Sequence, residues 1–130
     1  MPVHTDERVR EESRDQMRVL GLNADFITIN TGHLESELTE SPVILDTNSL
    51  NEPVPWGSLS GAAGRAAIAA IEAGARLCLA KKLDAITTAP INKESLKLAG
   101  SPFPGHTEML TALCGVSESL MCFFSARPDC

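Results

Sequence analysis

One long alanine-rich segment constrains the fold of this chain more than any other feature. It runs from Ser58 or Ser60 to about Lys82 and reads SLSGAAGRAAIAAIEAGARLCLAKK. Alanine is the best helix former and apolar side chains recur here at helical spacing, so we predict one long helix with a wide apolar face. The members of that face are Leu59, Ala63, Ala66, Ala67, Ala70, Ile71, Ala75 and Leu79.

Three glycines interrupt the alanine-rich segment, at Gly61, Gly64 and Gly74. Each glycine costs a helix up to about 1 kcal/mol relative to alanine. We therefore expect these positions to allow a neighbouring helix or sheet to approach closely.

Short apolar or β-branched runs around the long segment predict strands. They are Asp25–Asn30, Pro42–Asp46, Leu83–Pro90 and Ser119–Ser125. Further helices are expected from about Thr5 to Leu20, with Thr5 or Asp6 as its cap, from Asn92 to Ala99 and from Thr107 to Leu113. Strands that alternate with helices predict an α/β fold whose strands are at least partly parallel. The length of 130 residues suits a single domain.

Composition excludes several classes of function. The net charge of −6 argues against a broad nucleic-acid surface, and the scarcity of aromatic residues, at 4%, argues against a platform for stacking bases. No apolar run approaches the roughly 18–20 residues that span a bilayer, and the charged N-terminus is unlike a signal peptide. These features predict a cytoplasmic protein that binds neither membrane nor nucleic acid.

Four cysteines, Cys78, Cys114, Cys122 and Cys130, show no C-x-x-C spacing. We interpret them as buried free thiols in a reducing compartment, in preference to a zinc or redox site.

A first polar cluster, Thr87–Lys93, begins in the last residues of the third predicted strand and continues beyond it. Ligands of open α/β sheets collect beyond the carboxyl ends of strands, where this cluster is expected to lie. Lys93 would sit at the positive end of the next helix, which is easier to explain if an anion binds nearby, although a solvated lysine fits equally well. Asn92 can instead serve as the N-cap of that helix.

A second cluster, Pro104–Glu108, precedes the last predicted helix. His106 can donate, accept or shuttle a proton near neutral pH, but a lone histidine in a loop is more often structural. Thr107 can cap the helix or bind a ligand oxygen. His4 and His33 are interpreted as structural, because the three histidines show no metal-ligand spacing. No Walker A, G-x-G-x-x-G or G-x-S-x-G motif occurs, so motifs place no nucleotide site in this chain.

The two clusters together resemble one family. TAPINK, ending at Lys93, and GHTE, beginning at Gly105, are similar to the T-[GA]-P-x-[HN]-K and G-H-T-E motifs of the 4-hydroxythreonine-4-phosphate dehydrogenases of pyridoxal phosphate synthesis. The resemblance covers Ser58 to Ser125 well and the earlier residues loosely.

The resemblance implies a three-layer α/β/α fold like that of the isocitrate and isopropylmalate dehydrogenases, and a homodimer with active sites at the subunit interface. It implies that His106 and Thr107 bind the substrate and that Asn92 and Lys93 line the same cleft. The implied reaction oxidises the C3 hydroxyl of 4-phosphohydroxy-L-threonine: C3 passes a hydride to NAD or NADP and the hydroxyl loses its proton, after which CO2 is lost and 3-amino-2-oxopropyl phosphate forms. The resemblance also implies a divalent metal, Zn, Mg or Co, that polarises the hydroxyl.

Family members are much longer, and their metal-binding histidines lie beyond the point that Cys130 reaches. We therefore expect a single partial α/β domain that does not turn over alone and contains no metal ligands, with catalytic residues unassigned. Three alternatives stay open: a dehydrogenase of threonate or erythronate phosphate, a phosphate acyltransferase of similar architecture, or a non-catalytic dimerisation remnant.

Overall fold

The structure is a computed structural model, and it describes residues 7–22, 26–30, 42–51 and 53–122. The elements in chain order are α1 (Glu7–Val19), β1 (Ile27–Asn30), β2 (Val43–Asp46), α2 (Gly61–Leu79), α3 (Lys93–Leu98) and α4 (His106–Cys114). The chain divides into two compact units, Met1–Pro53 and Val54–Cys130. A mixture of helices with a small parallel sheet confirms the α/β class.

The first unit contains α1 and the sheet. β1 and β2 are parallel, with Ile27 opposite Val43 and Asn30 opposite Asp46, so both predicted strands are confirmed with slightly shorter bounds. The predicted first helix is also confirmed, as α1. Its expected caps, Thr5 and Asp6, lie outside the described residues.

The second unit is built on α2, which confirms the predicted long helix. The Ser60 side chain caps it, because its Oγ accepts hydrogen bonds from the backbone N–H groups of Ala62, at 3.2 Å, and Ala63, at 3.3 Å. α3 and α4 both pack against α2. The buried side chains of these two shorter helices include Leu96 on α3 and Met109 on α4, each about 1% exposed.

The apolar face of α2 is narrower than predicted. Its buried residues are Gly64, Ile71 and Ala75. The outer members of the predicted face are open to solvent, since Leu59 is 59% and Leu79 is 55% exposed. The reason is geometric: the two short helices that pack on α2 cover one stripe of it and leave its flanks and ends free.

The three glycines of α2 mark where the following segment touches the helix. A Cβ on Gly64 would lie 2.0 Å from the carbonyl oxygen of Ser95, and a Cβ on Gly61 would lie 2.9 Å from that of Leu98. A Cβ on Gly74 would lie 2.6 Å from Cδ1 of Ile86. As the chain advances from Ile86 to Leu98, its contacts therefore move from Gly74 back to Gly61. The expectation that these glycines permit a close approach is confirmed.

Two strand predictions are wrong over the described residues. Residues 83–90 form no strand, and most of them are exposed. Residues 119–122 form none either, while the rest of that predicted strand lies outside the described residues. A strand requires backbone hydrogen bonds to a neighbour, and an apolar run carries no information about whether a neighbour is present. In the part of the chain that the structure describes, the only paired strands are β1 and β2.

The cysteine prediction is half right. Cys78, Cys114 and Cys122 are free, but Cys114 and Cys122 are exposed and Cys78 is partly exposed. Cys114 is the last residue of α4 and Cys122 follows an exposed, irregular segment, so the apolar neighbours in sequence do not become a covering layer. Cys130 lies outside the described residues.

A tight turn before α2 displays the single tryptophan of the chain. The backbone N–H of Ser58 donates to the carbonyl oxygen of Pro55 at 3.3 Å, and Gly57 takes a left-handed φ of 72°. A positive φ at the third turn residue is the geometry that glycine favours. Trp56 stands at the tip of this turn and is 90% exposed.

Each of the four helices in the described ranges is followed by a residue with left-handed backbone conformation. Glycine occupies this position after α1, α3 and α4, as Gly21, Gly100 and Gly115, whereas Lys81 occupies it after α2 with φ 57°. The Lys81 N–H donates to the Cys78 carbonyl and the Lys82 N–H to the Leu77 carbonyl, both at 2.9 Å, which is the Schellman pattern.

None of the described helices is long and apolar enough to cross a membrane.

The close approach at Gly64 generates a stability prediction. Gly64→Ala should lower the free energy of unfolding by about 1 kcal/mol or more, because the clash with a backbone atom outweighs the gain in helix propensity. Gly74→Ala is the matched control, since the end of the Ile86 side chain can move aside, and it should be neutral or mildly stabilising. Urea unfolding followed by circular dichroism measures both. Equal stabilities of the two variants would contradict the contact.

The left-handed conformation of Lys81 generates a second stability prediction. Lys81→Gly should be more stable than Lys81→Ala by about 1 kcal/mol, because both variants lose the charge and only alanine keeps the strain at its Cβ. Lys82 has no positive φ, so Lys82→Gly should be no more stable than Lys82→Ala. Thermal unfolding of the four variants checks this, and the same order at both positions would refute it.

Candidate functional site

The first turn of α4 has no side-chain cap. Gly105 is the N-cap residue, with extended backbone at φ −170°, and no side chain accepts from the free N–H groups of the turn. The Met109 N–H donates to the Gly105 carbonyl at 3.4 Å, which begins the helical hydrogen-bond pattern. The preceding N–H groups of the turn are thus left to solvent or to a ligand, and such groups favour negative charge.

His106 is the first residue of α4, and its side chain is half-buried. Its Nε2 atom is buried and has no hydrogen-bond partner. Among the described residues, the only other buried side-chain polar atom in this condition is Oγ1 of Thr28, in the other unit. Leaving a buried polar atom unpaired costs about 1–3 kcal/mol, so most such atoms in proteins have a partner. Because this nitrogen is buried, a ligand at the uncapped helix start can become its partner only if the atoms that cover it move.

Thr107 lies inside the first turn of α4 and is exposed, so the interpretation of Thr107 as a helix cap is wrong. Gly105 holds the cap position because its extended backbone precedes the turn. The backbone carbonyl of Thr107 accepts a hydrogen bond from the Thr111 hydroxyl at 2.7 Å. The Thr107 side chain stays on the surface, next to His106 in sequence, where a ligand can reach it.

Asn92 caps α3, as one of the two interpretations of it predicts. Its Oδ1 accepts from the backbone N–H of Ser95 at 2.9 Å. The oxygen is therefore engaged, and what Asn92 can still offer a ligand is its amide N–H2 group. Lys93 follows as the first residue of α3, with an exposed side chain and no ion pair to another described residue. Its ammonium group is free to meet an anion.

Both sets of predicted site residues lie on helices that pack against α2. Asn92 and Lys93 belong to α3 and its cap, His106 and Thr107 to α4, and both helices pack on α2. The sequence reasoning missed Ser95, which is only 7% exposed and joins the two N-cap turns of α2 and α3. The signal for it was its place three residues after Asn92, where an N-cap side chain finds its backbone donor.

No group of three or more His, Cys, Asp and Glu side chains lies together in the described ranges in a way that could hold a metal ion. The described residues therefore do not fit a metal centre, and no step of the chemistry is assigned to a metal held by them.

Comparison with known proteins identifies the class to which this arrangement belongs. Residues 3–127 match the family model of the pyridoxal phosphate biosynthetic protein PdxA, which is nearly the whole chain. The chain belongs to this family. The resemblance inferred from TAPINK and GHTE is thereby confirmed.

Individual relatives carry two related names. The chain is 48% identical to the D-threonate 4-phosphate dehydrogenase of Cupriavidus necator, with 59% of this chain and 23% of the relative covered. It is 35% identical to the 4-hydroxythreonine-4-phosphate dehydrogenase of Prosthecochloris aestuarii, covering 80% and 31%. The chain thus spans about a quarter to a third of the length of these relatives.

A solved structure agrees with the fold. The crystal structure of a 4-hydroxythreonine-4-phosphate dehydrogenase from Burkholderia phymatum superposes with a TM-score of 0.64 at 36% identity, covering 78% of this chain and 31% of that one. The two units of this chain are therefore folded in the manner of part of a PdxA-family enzyme.

The cap at Asn92 generates a prediction that separates capping from ligand binding. Asn92→Ala should lower the free energy of unfolding by about 1 kcal/mol, because α3 loses the acceptor for the Ser95 N–H. Asn92→Asp should keep most of the stability, since a carboxylate oxygen can accept the same bond. Chemical denaturation measures both, and equal losses in the two variants would argue against the cap.

Proposed function

We propose that this chain forms the substrate-binding part of an NAD(P)-dependent dehydrogenase of 4-hydroxythreonine 4-phosphate. The observation that carries the proposal is the buried, unpartnered Nε2 of His106 at the uncapped start of α4. Family membership supplies the substrate class, and the residues of the two motifs supply the groups that would hold it.

The substrate has two features that these residues suit. Its C3 hydroxyl and its carboxylate can pair with the His106 ring nitrogen, with the Thr107 hydroxyl and with the free N–H groups of the first turn of α4. Its phosphate carries negative charge that the exposed Lys93 ammonium can meet as a point charge. The Asn92 amide, whose oxygen is engaged in the cap, would contribute as a donor only.

The reaction of the whole protein follows from the substrate and the family. Oxidation of the C3 hydroxyl sends a hydride to NAD or NADP and a proton to a base, and the resulting β-keto acid loses CO2. The described residues offer no metal-ligand group and no glycine-rich nucleotide motif, so we assign to this chain the binding and orientation of the substrate. Holding the hydroxyl in place beside the nicotinamide is itself a large part of catalysis.

The same proposal includes the architecture and assembly that the resemblance implies. The chain would form one partial domain of a three-layer α/β/α dehydrogenase, acting as a homodimer in the cytoplasm. What supports this is the family match over residues 3–127 together with the parallel pairing of β1 and β2.

A second candidate substrate is D-threonate 4-phosphate. Over 77 aligned residues in each case, the chain is 48% identical to a dehydrogenase of that name and 44% identical to a 4-hydroxythreonine-4-phosphate dehydrogenase, a small difference in its favour. The two compounds share the phosphate and the C3 hydroxyl and differ at C2, where one has an amine and the other a hydroxyl. In this proposal the described residues bind the shared groups, so they would accept both compounds.

Ligand binding tests the proposal directly. Millimolar 4-hydroxythreonine 4-phosphate should raise the melting temperature of the purified chain, because a ligand that binds only the folded state stabilises it by mass action. His106→Ala should abolish the shift, since it removes the unpaired ring nitrogen. Thermal-shift titrations with D-threonate 4-phosphate rank the two substrates.

The matched control is His33→Ala, at a histidine that lies outside the described residues and is predicted from sequence to be structural, and this variant should keep the shift. A stable chain whose melting temperature responds to neither ligand would instead support the non-catalytic interpretation and end the proposal.

A further inference from the structure

Ser95 is a buried polar residue at the crossing of two helix starts. Its backbone N–H donates to Oδ1 of Asn92 at 2.9 Å, which closes the cap of α3. Its hydroxyl oxygen accepts a hydrogen bond from the backbone N–H of Ser60, the N-cap residue of α2, at 3.4 Å. Ser95 therefore hydrogen-bonds to the N-cap residues of both helices, through its backbone on one side and its side chain on the other.

The third polar group of Ser95, its carbonyl, lies against α2 with no side chain between. A Cβ on Gly64 would fall 2.0 Å from this oxygen and 2.9 Å from the Cβ of Ala99. Real Cβ atoms keep at least about 3 Å from such an oxygen, so any residue other than glycine would push α3 away by about 1 Å. The distance between α2 and α3 is thus set by the absence of a side chain at Gly64.

Lys93 lies two residues before this contact, at the start of α3. α3 is short, and its cap is the Asn92 side chain that Ser95 itself holds. No acidic side chain in the part of the chain that the structure describes forms an ion pair with Lys93, and the Lys93 side chain is exposed. The position of the Lys93 backbone depends on how α3 packs against α2. That position determines which points the Lys93 ammonium group can reach.

We propose that Ser95, through its contact with Gly64 and its bond to Ser60, is the positioning residue that sets where Lys93 meets the phosphate of the ligand. The inference rests on the proposed function, since it concerns the same ligand site. Ser95 does not touch the ligand. It acts through Lys93, and misplacement of a binding group by about 1 Å is enough to cost a large part of its effect.

The test is a set of variants of the full 130-residue chain, titrated with 4-hydroxythreonine 4-phosphate and followed by 1H–15N spectra. In the wild type, ligand should shift the amide signals of both Lys93 and Thr107. In Ser95→Ala, the ligand-induced shift at Lys93 should fall by at least half and the affinity by about threefold to tenfold, while Thr107 keeps its response. Ser95→Thr retains the hydroxyl and should restore both values.

Gly64→Ala is the second probe, because it displaces the Ser95 carbonyl without touching its side chain. It should weaken ligand binding at least as much as Ser95→Ala, at a temperature where both variants are folded. Gly74→Ala serves as the matched control, since its added Cβ meets only the movable end of Ile86, and its affinity should stay within twofold of wild type. If Gly64→Ala does not fold, the Ser95 pair alone decides the question.

The outcomes separate the two proposals. A wild-type chain that shows no response to the ligand overturns both the proposed function and this inference. A wild-type response that Ser95→Ala leaves unchanged at Lys93 overturns the positioning role alone. If Ser95→Ala loses the ligand-induced shift at both Lys93 and Thr107, Ser95 merely supports the fold, and this result too overturns the positioning role.

Discussion

The contact between Gly64 and the Ser95 carbonyl is the constraint on which the second unit depends. It brings two backbones together at a distance that no side chain permits, and it places α3 against the first turns of α2. The hydrogen bond from the Ser60 N–H to the Ser95 hydroxyl lies at the same crossing. Because α2 also supports α4, the positions of both motif-bearing helices follow from one helix and from its glycines.

This arrangement explains why a helix so rich in alanine tolerates residues that weaken it. Glycine lowers helix propensity, but α2 is long and its other residues are strong helix formers, so the helix remains stable. The lower helix propensity at each glycine is offset by van der Waals contact with the segment from Ile86 to Leu98. The segment that contains the polar residues therefore packs closely on α2, because the glycines leave room for its atoms.

The sequence predicted local structure well and long-range structure less well. The helices around Ile71, Leu96 and Met109 were predictable, because alanine content, capping residues and terminal glycines act within a few residues. The strand expected at Leu83–Pro90 failed, because a strand depends on a partner elsewhere in the chain. The wide apolar face of α2 failed for a similar reason, since periodicity identifies a face but not how much of it a neighbour covers.

The same division applies to the site. The motif residues Asn92, Lys93, His106 and Thr107 were identified from sequence because they lie within short, distinctive patterns. The unpaired state of the His106 ring nitrogen and the burial of Ser95 were not predictable, because both arise from packing between helices. Their physical signatures appear only when α2, α3 and α4 are seen together.

The turn before α2 has a practical consequence for anyone who studies this protein in solution. Its tip presents the sole indole of the chain almost fully to water, so the folded state should already emit at the long wavelengths typical of a denatured protein. Loss of structure will then change the fluorescence spectrum very little. Conversely, a blue shift or quenching of that emission on adding another molecule would report contact at this turn, far more directly than it would report folding.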